Sequence, residues 1–113
     1  MNASDNLTVG RDDGTEWEVE EEDLEAAAKA GKPPRRAKRY RLRVDREYFT
    51  VANITLTGRE ILVLAGKVPP EQYLLSQKSH GGHAKKIDPN ERVDLTAPGV
   101  ERFMTLPKDQ KEG

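Results

Sequence analysis

Every second residue between positions 39 and 44 is apolar, and the residues between them are arginines. This is the period-two pattern of a strand that buries one face. Turn-forming residues follow at 45–47, and aromatic and β-branched residues follow at 48–51. The pattern predicts a β-hairpin over residues 38–52, in which Tyr40, Leu42 and Val44 share one face.

The next pattern is helical and begins at Thr57. The segment Thr57-Gly58-Arg59-Glu60 has the spacing of a capping box, in which a hydroxyl and a carboxylate accept hydrogen bonds from exposed backbone amides. Apolar residues then recur at helical spacing, and Gly66 is a residue type that ends helices. We therefore predict a helix over residues 57–66.

Shorter extended segments follow this helix. The sequence predicts a third strand over 72–76, an edge strand over 85–87 and a brief extended or helical segment over 92–95. In a last predicted strand, Val100, Arg102, Met104 and Leu106 fall on one side, and Glu101, Phe103 and Thr105 fall on the other. The order β-β-α-β-β, with one extra short strand, predicts an α+β fold of the β-grasp type, whose helix crosses one face of the sheet.

The first 36 residues have the pattern of an N-terminal extension. Residues 17–19 alternate like a short strand, 24–29 have the composition of a short helix, and the breaker Gly31-Lys32-Pro33-Pro34 ends it. So short a segment does not bury enough apolar surface to fold by itself. The expected organisation is an acidic extension that is disordered or docks a partner (1–36), a folded domain (37–107) and a polar tail (108–113).

Charge is distributed unevenly, although the formal net charge is only -1. Acidic residues crowd positions 16–25, and basic residues crowd positions 32–43. Trp17 and Val19 lie in the acidic, strand-like stretch, which is a candidate for pairing with the basic strand 38–46 of another copy and so for assembling copies head to tail. The alternative is a loose tail. One interrupting aromatic residue and no recognised reader motif argue against nucleic-acid binding.

Composition excludes several classes of site. Without cysteine, the chain has no disulfide, thiolate metal site or thiol nucleophile. His80 and His83 flank two glycines but lack nearby carboxylates, so no metal site is predicted. No nucleophile-base-acid arrangement and no phosphate loop occur, and we expect neither enzymatic activity nor a cofactor. No apolar run is long enough to span a bilayer and no secretory signal is recognisable, so a cytoplasmic protein is expected.

The segment Val68-Pro69-Pro70 lies between the predicted helix and the third strand, where it resembles the Ile-Pro-Pro segment of ubiquitin. Residues 38–113 are similar to the bacterial multiubiquitin-domain family more broadly. The other segments that carry this resemblance are Tyr40-Arg41-Leu42-Arg43-Val44, Thr57-Gly58-Arg59-Glu60-Ile61-Leu62, Val93-Asp94-Leu95, Pro98-Gly99-Val100-Glu101-Arg102-Phe103 and Glu112-Gly113. The Thr-Gly-Arg-Glu segment occurs once, so one copy of the domain is expected.

The resemblance implies a modifier that partner enzymes act on. Such systems comprise an E1-like activating enzyme, an E2-like conjugating enzyme and a JAB-type metalloprotease, which join the C-terminal Gly113 to target proteins. Glycine suits a narrow active-site channel because it has no side chain. Glu112 stands where ubiquitin has a second glycine, which implies an adapted channel, and no maturation cleavage is expected beyond Gly113. The expected docking residues on the open sheet face are Tyr40, Leu42 and Phe103.

Two alternatives stay open. One is a noncovalent, self-assembling β-grasp scaffold that uses the N-terminal extension and in which Gly113 has no chemical role. The other is a sulfur carrier, in which adenylated Gly113 becomes a thiocarboxylate. Sulfur carriers usually end in paired glycines and lack a long acidic arm, so the sequence favours the modifier.

Overall fold

The computed structural model describes residues 17–108, and these form two α-helices, eight strands and a short 3-10 helix. In chain order, the elements are β1 (Val19–Asp23), α1 (Leu24–Lys29), β2 (Ala37–Val44), β3 (Glu47–Val51), β4 (Thr55–Thr57), α2 (Gly58–Leu64), the 3-10 helix (Pro70–Gln72), β5 (Tyr73–Ser79), β6 (Ala84–Ile87), β7 (Arg92–Asp94) and β8 (Val100–Pro107). The predicted α+β, β-grasp fold is confirmed, because a hairpin, a crossing helix and returning strands occur in that order.

A mixed sheet forms the centre of the domain. One edge of β2 pairs antiparallel with β3, and its other edge pairs parallel with β1 first and then with β8. β8 pairs antiparallel with β5, which in turn pairs with β6. β4 and β7 form a separate two-stranded sheet that the sequence patterns do not predict. The last strand thus lies inside the sheet, and the chain reaches its C-terminal tail from there.

The apolar core lies between this sheet and α2. Alternation in β2 buries Leu42 and Val44, as the period-two pattern predicts. Ile61 and Leu62 of α2 pack in the same cluster, and Phe103 of β8 is fully buried there. Burial of this apolar surface is the main term that stabilises the domain.

The capping box predicts the start of α2 correctly. Thr57 Oγ1 accepts from the Glu60 amide at 3.1 Å, and Glu60 Oε1 accepts from the Thr57 amide at 2.8 Å. Gly58 has a steric role as well, because a Cβ there would lie 2.4 Å from the carbonyl oxygen of Asp88. The helix ends at Leu64, and Gly66 follows with a φ of 77°.

Residues 17–36, which we name the arm, belong to the same domain in the structure. β1 pairs with β2 of the same chain, from Val19 opposite Ala37 to Asp23 opposite Arg41. The predicted helix at 24–29 is present, and Leu24 joins the buried core cluster. The structure therefore departs from the expected boundary at residue 37, because the arm completes its pairing and its burial against the domain rather than alone.

Candidate functional site

The end of β8 positions the tail that carries the predicted reactive glycine. Pairing with β5 continues to Leu106, opposite Leu74, and to Pro107, opposite Tyr73. Leu106, Pro107 and Lys108 are exposed, so the chain leaves the sheet toward solvent. Glu112 and Gly113 lie outside the described residues. Gly113 is five positions beyond Lys108, a reach of at most about 18 Å in a fully extended chain.

The turn between β2 and β3 holds β8 close to this exit. Asp45 has a φ of 56°, a left-handed conformation that Asp tolerates better than most residues. Its Oδ1 accepts from the Thr105 amide at 2.9 Å, and its Oδ2 accepts from the Thr105 hydroxyl at 2.6 Å. The Asp45 amide donates to the Phe103 carbonyl at 2.8 Å. These three bonds fix the register of β8 just before the tail begins.

An exposed apolar patch adjoins the tail. Leu74 lies opposite Leu106, and Ser76 lies opposite Met104, so these side chains share the sheet face opposite Leu75 and Phe103. Leu106 is 54% exposed, and Leu74 and Met104 are partly exposed. We name Leu74, Met104 and Leu106 the tail-side patch. An exposed apolar surface at the end of β8 suits contact with a partner.

The structure corrects the sequence-based choice of docking residues. Tyr40, Leu42 and Phe103 are 2%, 1% and 0% exposed, so they are core residues in this conformation. Alternation assigned Met104 and Leu106 to the face opposite Phe103, but alternation alone does not tell which face is covered. The pairing of Leu74 with Leu106 and the position of α2 supply that information.

The arm covers another part of the sheet through a polar network. Glu25 is buried, and its carboxylate accepts from Arg43 Nη1 at 2.8 Å and from the Tyr48 hydroxyl at 2.6 Å. Arg43 and Tyr48 are cross-strand partners on the face opposite Leu42 and Val44. The Glu25 carboxylate of α1 therefore lies on the sheet face opposite Leu42 and Val44.

Hydrogen bonds and nearby positive charges stabilise the ionised form of the Glu25 carboxylate. Burial acts to raise the pKa of Glu25, but hydrogen bonds from Tyr48, Arg43 and Lys29 outweigh it and lower the pKa to about 2. The hydrogen bond to Glu25 also raises the pKa of Arg43 and the pKa of Tyr48. The network therefore holds full charges at neutral pH and acts as a structural clamp on the arm.

The predicted match between acidic extension and basic strand is made within one chain. Arg39 Nη2 lies 3.7 Å from Glu20, and Arg41 Nη1 lies 3.7 Å from Asp23. Val19 is partly buried beside Ala37. Trp17 is 47% exposed, with Lys38 Nζ 5.6 Å from its ring centroid. Pairing of the same surfaces between copies stays a prediction.

The remaining candidate groups do not form a site. His80 and His83 lie in the exposed turn between β5 and β6. Within residues 17–108, no three residues of types that bind metals come together in a metal-binding arrangement. In the same range, no helix is long and apolar enough to cross a membrane.

Comparison with known proteins completes the assignment of the family. No curated protein and no solved structure gives a significant match to the chain. The sequence profile described as Multiubiquitin matches residues 40–108, which is more than half of the chain and spans the domain from β2 to the start of the tail. The chain therefore belongs to the multiubiquitin family.

Proposed function

We propose that this chain is a ubiquitin-like modifier, which partner enzymes activate at the carboxylate of Gly113 and conjugate to target proteins. The observation that carries the proposal is the path of β8, which runs inside the sheet and ends in exposed Leu106, Pro107 and Lys108 next to an apolar patch. The multiubiquitin match over residues 40–108 supports the same reading.

The chemistry requires only a terminal carboxylate from this chain. A carboxylate oxygen attacks the α-phosphorus of ATP, forms an acyl-adenylate and releases pyrophosphate. An enzyme thiolate then attacks the acyl carbon and releases AMP, and a target amine later displaces that thiolate. Because the chain has no cysteine, the thiol in this scheme belongs to a partner enzyme.

The tail-side patch has a matching role in this scheme. An activating or conjugating enzyme must hold the domain while it draws the tail into its active site. Leu74 and Leu106 offer apolar surface for that contact within reach of the tail. The catalytic groups, and a JAB-type metalloprotease that removes the modifier, belong to the partners in this proposal.

Intact mass spectrometry tests the modifier. The purified chain is incubated with an E1-like activating enzyme, ATP and Mg²⁺. We expect a covalent adduct that disappears when Gly113 is deleted, and that Leu106→Lys weakens by disturbing docking. The control is Arg92→Ala on β7, in the separate two-stranded sheet, which should leave the adduct unchanged.

Three results would contradict the modifier. The first is no adduct from an activating enzyme that is active on another substrate. The second is exchange of one terminal oxygen for sulfur, which would identify a sulfur carrier instead. An adduct that forms equally well without Gly113 would also exclude the proposed chemistry.

A noncovalent scaffold is the second candidate, and the arm is the observation that favours it. β1 and α1 join the rest of the domain through residues 30–36, which include Gly31 at a φ of 71°. If the backbone of residues 30–36 changes conformation, the arm can leave its own domain and make the same contacts with a second copy, as in domain swapping. The acidic residues would then face the basic strand of the neighbour.

Engineered cysteines distinguish the two arrangements, because the native chain has none. Val19→Cys combined with Ala37→Cys places one thiol on each of two paired residues. After oxidation, a closed arm gives an internally crosslinked monomer, whereas an exchanged arm gives disulfide-linked multimers on a non-reducing gel. Ser76→Cys with Lys86→Cys, a cross-strand pair of β5 and β6 away from the arm, is the control that should remain monomeric.

A further inference from the structure

The hairpin of β2 and β3 has a basic face on the side opposite Leu42 and Val44. Three arginines of β2 lie on this side, and we name them the arginine face: Arg39, Arg41 and Arg43. Tyr48 of β3 lies beside them, as the cross-strand partner of Arg43. The one acid of β3, Glu47, is opposite Val44, so its side chain is on the other side of the sheet. The two strands therefore present three cations and no acid on this side.

The arm places a carboxylate next to each of these arginines. The distances between carboxylate and guanidinium are 3.7 Å for Glu20 and Arg39, 3.7 Å for Asp23 and Arg41, and 2.8 Å for Glu25 and Arg43. β1 adds parallel backbone pairing with β2. The arm therefore occupies the arginine face as a bound acidic peptide would, with an acidic strand that continues into a helix carrying one more carboxylate.

Few strong contacts attach the arm to the rest of the domain. Of its two buried carboxylates, that of Glu22 accepts three hydrogen bonds from Arg35, which belongs to the arm itself. Only the buried carboxylate of Glu25 bonds to the domain beyond the arm. The ion pairs along β1 are long and exposed, and such pairs contribute little to stability. A competing acidic segment therefore has to replace one buried hydrogen-bond network, the backbone pairing of β1 and the apolar burial of Leu24.

Two features let the arm leave as one unit. Residues 30–36 connect it to β2 without a helix or a strand, and they include Gly31 at a φ of 71°. The strand pairs β2–β3, β2–β8 and β5–β8 are made without any residue of the arm. The Multiubiquitin profile matches residues 40–108, which include two of the three arginines and none of the arm. The arginine face thus lies largely in the family domain, and the arm is the segment that covers it.

One buried donor on this side of the sheet is not used by the arm. Phe103 is paired with Val44, so Arg102, one position earlier in β8, lies on the same side as the arginine face. Arg102 Nε is buried and has no hydrogen-bond partner among residues 17–108. Leaving a buried donor unpaired is unfavourable. A competing segment that places a carboxylate at Arg102 would make a hydrogen bond that the arm does not make.

We propose that the arginine face binds an acidic segment of a partner protein, and that the arm is an internal competitor which such a segment displaces. The apparent affinity for the partner is then reduced in proportion to the fraction of molecules whose arm is open. This arrangement differs from arm exchange, because the chain remains a monomer when the partner binds. The site uses no chemistry at Gly113 and is therefore independent of the proposed conjugation.

A disulfide that locks the arm tests the competition on the full chain. The variant with Val19→Cys and Ala37→Cys is oxidised, and its internally crosslinked monomer is isolated by gel filtration. The probe is a fluorescein-labelled peptide with the sequence of residues 17–29, and a neutral probe has Gln for each Glu and Asn for Asp. By fluorescence polarisation, the reduced variant should bind the acidic probe saturably, and the locked variant should bind it at least about tenfold more weakly. Adding a reductant to the locked protein should restore binding, which excludes misfolding as the cause.

Weakening the attachment of the arm should have the opposite effect. Glu25→Gln should bind the acidic probe about fivefold more tightly than the native chain, because its arm is open more often. Arg43→Gln added to Glu25→Gln should remove this gain, because the probe then loses its own contact with Arg43. Arg92→Ala on β7, added instead, is the matched control and should retain the gain. Circular dichroism checks that each variant folds.

Four results would overturn the proposal. One is failure of the acidic probe to bind the reduced variant more tightly than the neutral probe, and another is equal binding by the locked and the reduced protein. The third is binding of a single-stranded oligo(dT) to the Glu25→Gln chain without binding of the acidic probe, which would assign the face to nucleic acid. The fourth is a dimer of the Glu25→Gln chain, detected by sedimentation, that neither probe disrupts, because the arm of a second copy would then occupy the face. Deletion of Gly113 should leave peptide binding unchanged, so failure of the modifier proposal and failure of this one are distinguishable.

Discussion

The two faces of the sheet are covered in physically different ways. On one face, α2 buries Ile61 and Leu62 against Leu42 and Phe103, so apolar burial holds the two layers together. On the other face, the arm is held by Glu25, whose carboxylate bonds to Arg43 and Tyr48. The first cover is apolar, whereas the second combines the burial of Leu24 with a charged network. The α2 layer therefore stabilises the domain as a whole, and the arm is the part whose attachment a change in charge can weaken.

The largest expected effect lies on the α2 side. Phe103→Ala removes a fully buried aromatic side chain and should lower the free energy of unfolding by about 3–5 kcal/mol. Urea denaturation measures the loss. Leu106→Ala on the same strand is the control, since Leu106 is 54% exposed and should cost less than about 1 kcal/mol. Equal losses at the two positions would contradict the assignment of the faces.

A smaller loss is expected on the arm side. Glu25→Gln removes the charge that Arg43 and Tyr48 share and leaves a buried amide poorly matched to their two donors, at a cost of about 1–3 kcal/mol. Hydrogen exchange should place the loss in β1 and α1, while the protection of β5 and β8 is retained. Glu21→Gln is the matched control, because Glu21 is exposed and its carboxylate is 4.0 Å from Arg39 Nε, a long distance for an ion pair. Uniform loss of protection across the sheet would show that the arm is inseparable from the core.

These two faces also differ in how far the sequence predicts them. Alternation in β2, the capping box at Thr57 and the order of elements give the hairpin, the helix and the β-grasp fold, because each signal is local. The helix prediction at 57–66 extends beyond the observed Gly58–Leu64 at its C-terminal end, since the chain turns out of the helix at Ala65 and Gly66.

The arm illustrates what local patterns omit. A strand and a helix are predictable near residues 17–19 and 24–29, but a run of acids is also typical of a solvated tail. What orders the arm is the position of Arg39, Arg41 and Arg43 in space, together with a place in the core for Leu24. For the same reason, the tail-side patch depends on the cross-strand partner of Leu106, which periodicity does not give.

Acidification sharpens the comparison between the faces. The folded-state pKa of Glu25 is about 2, below the ordinary value of 4.5. Its contribution to stability is therefore complete above about pH 4.5 and is lost as the pH falls toward 2. Urea midpoints at pH 6 and pH 3 should differ more for the native chain than for Glu25→Gln, because the variant lacks this titration. An identical pH dependence in both proteins would exclude Glu25 as the pH-sensitive group.

The smallest effect is expected at the exposed ion pairs along β1. Arg39 is 42% exposed and lies 3.7 Å from Glu20 and 4.0 Å from Glu21, so Arg39→Gln should cost no more than about 1 kcal/mol. Added salt should erase most of this difference, because solvent screens exposed charges more than buried ones. Unfolding in low and high salt measures both effects, with Glu25→Gln as the comparison that salt should change less. If Arg39→Gln instead matches Glu25→Gln in size, the arm is held along the strand edge rather than by its helix. In that case the whole acidic stretch, and not one buried carboxylate, determines whether the arm stays closed.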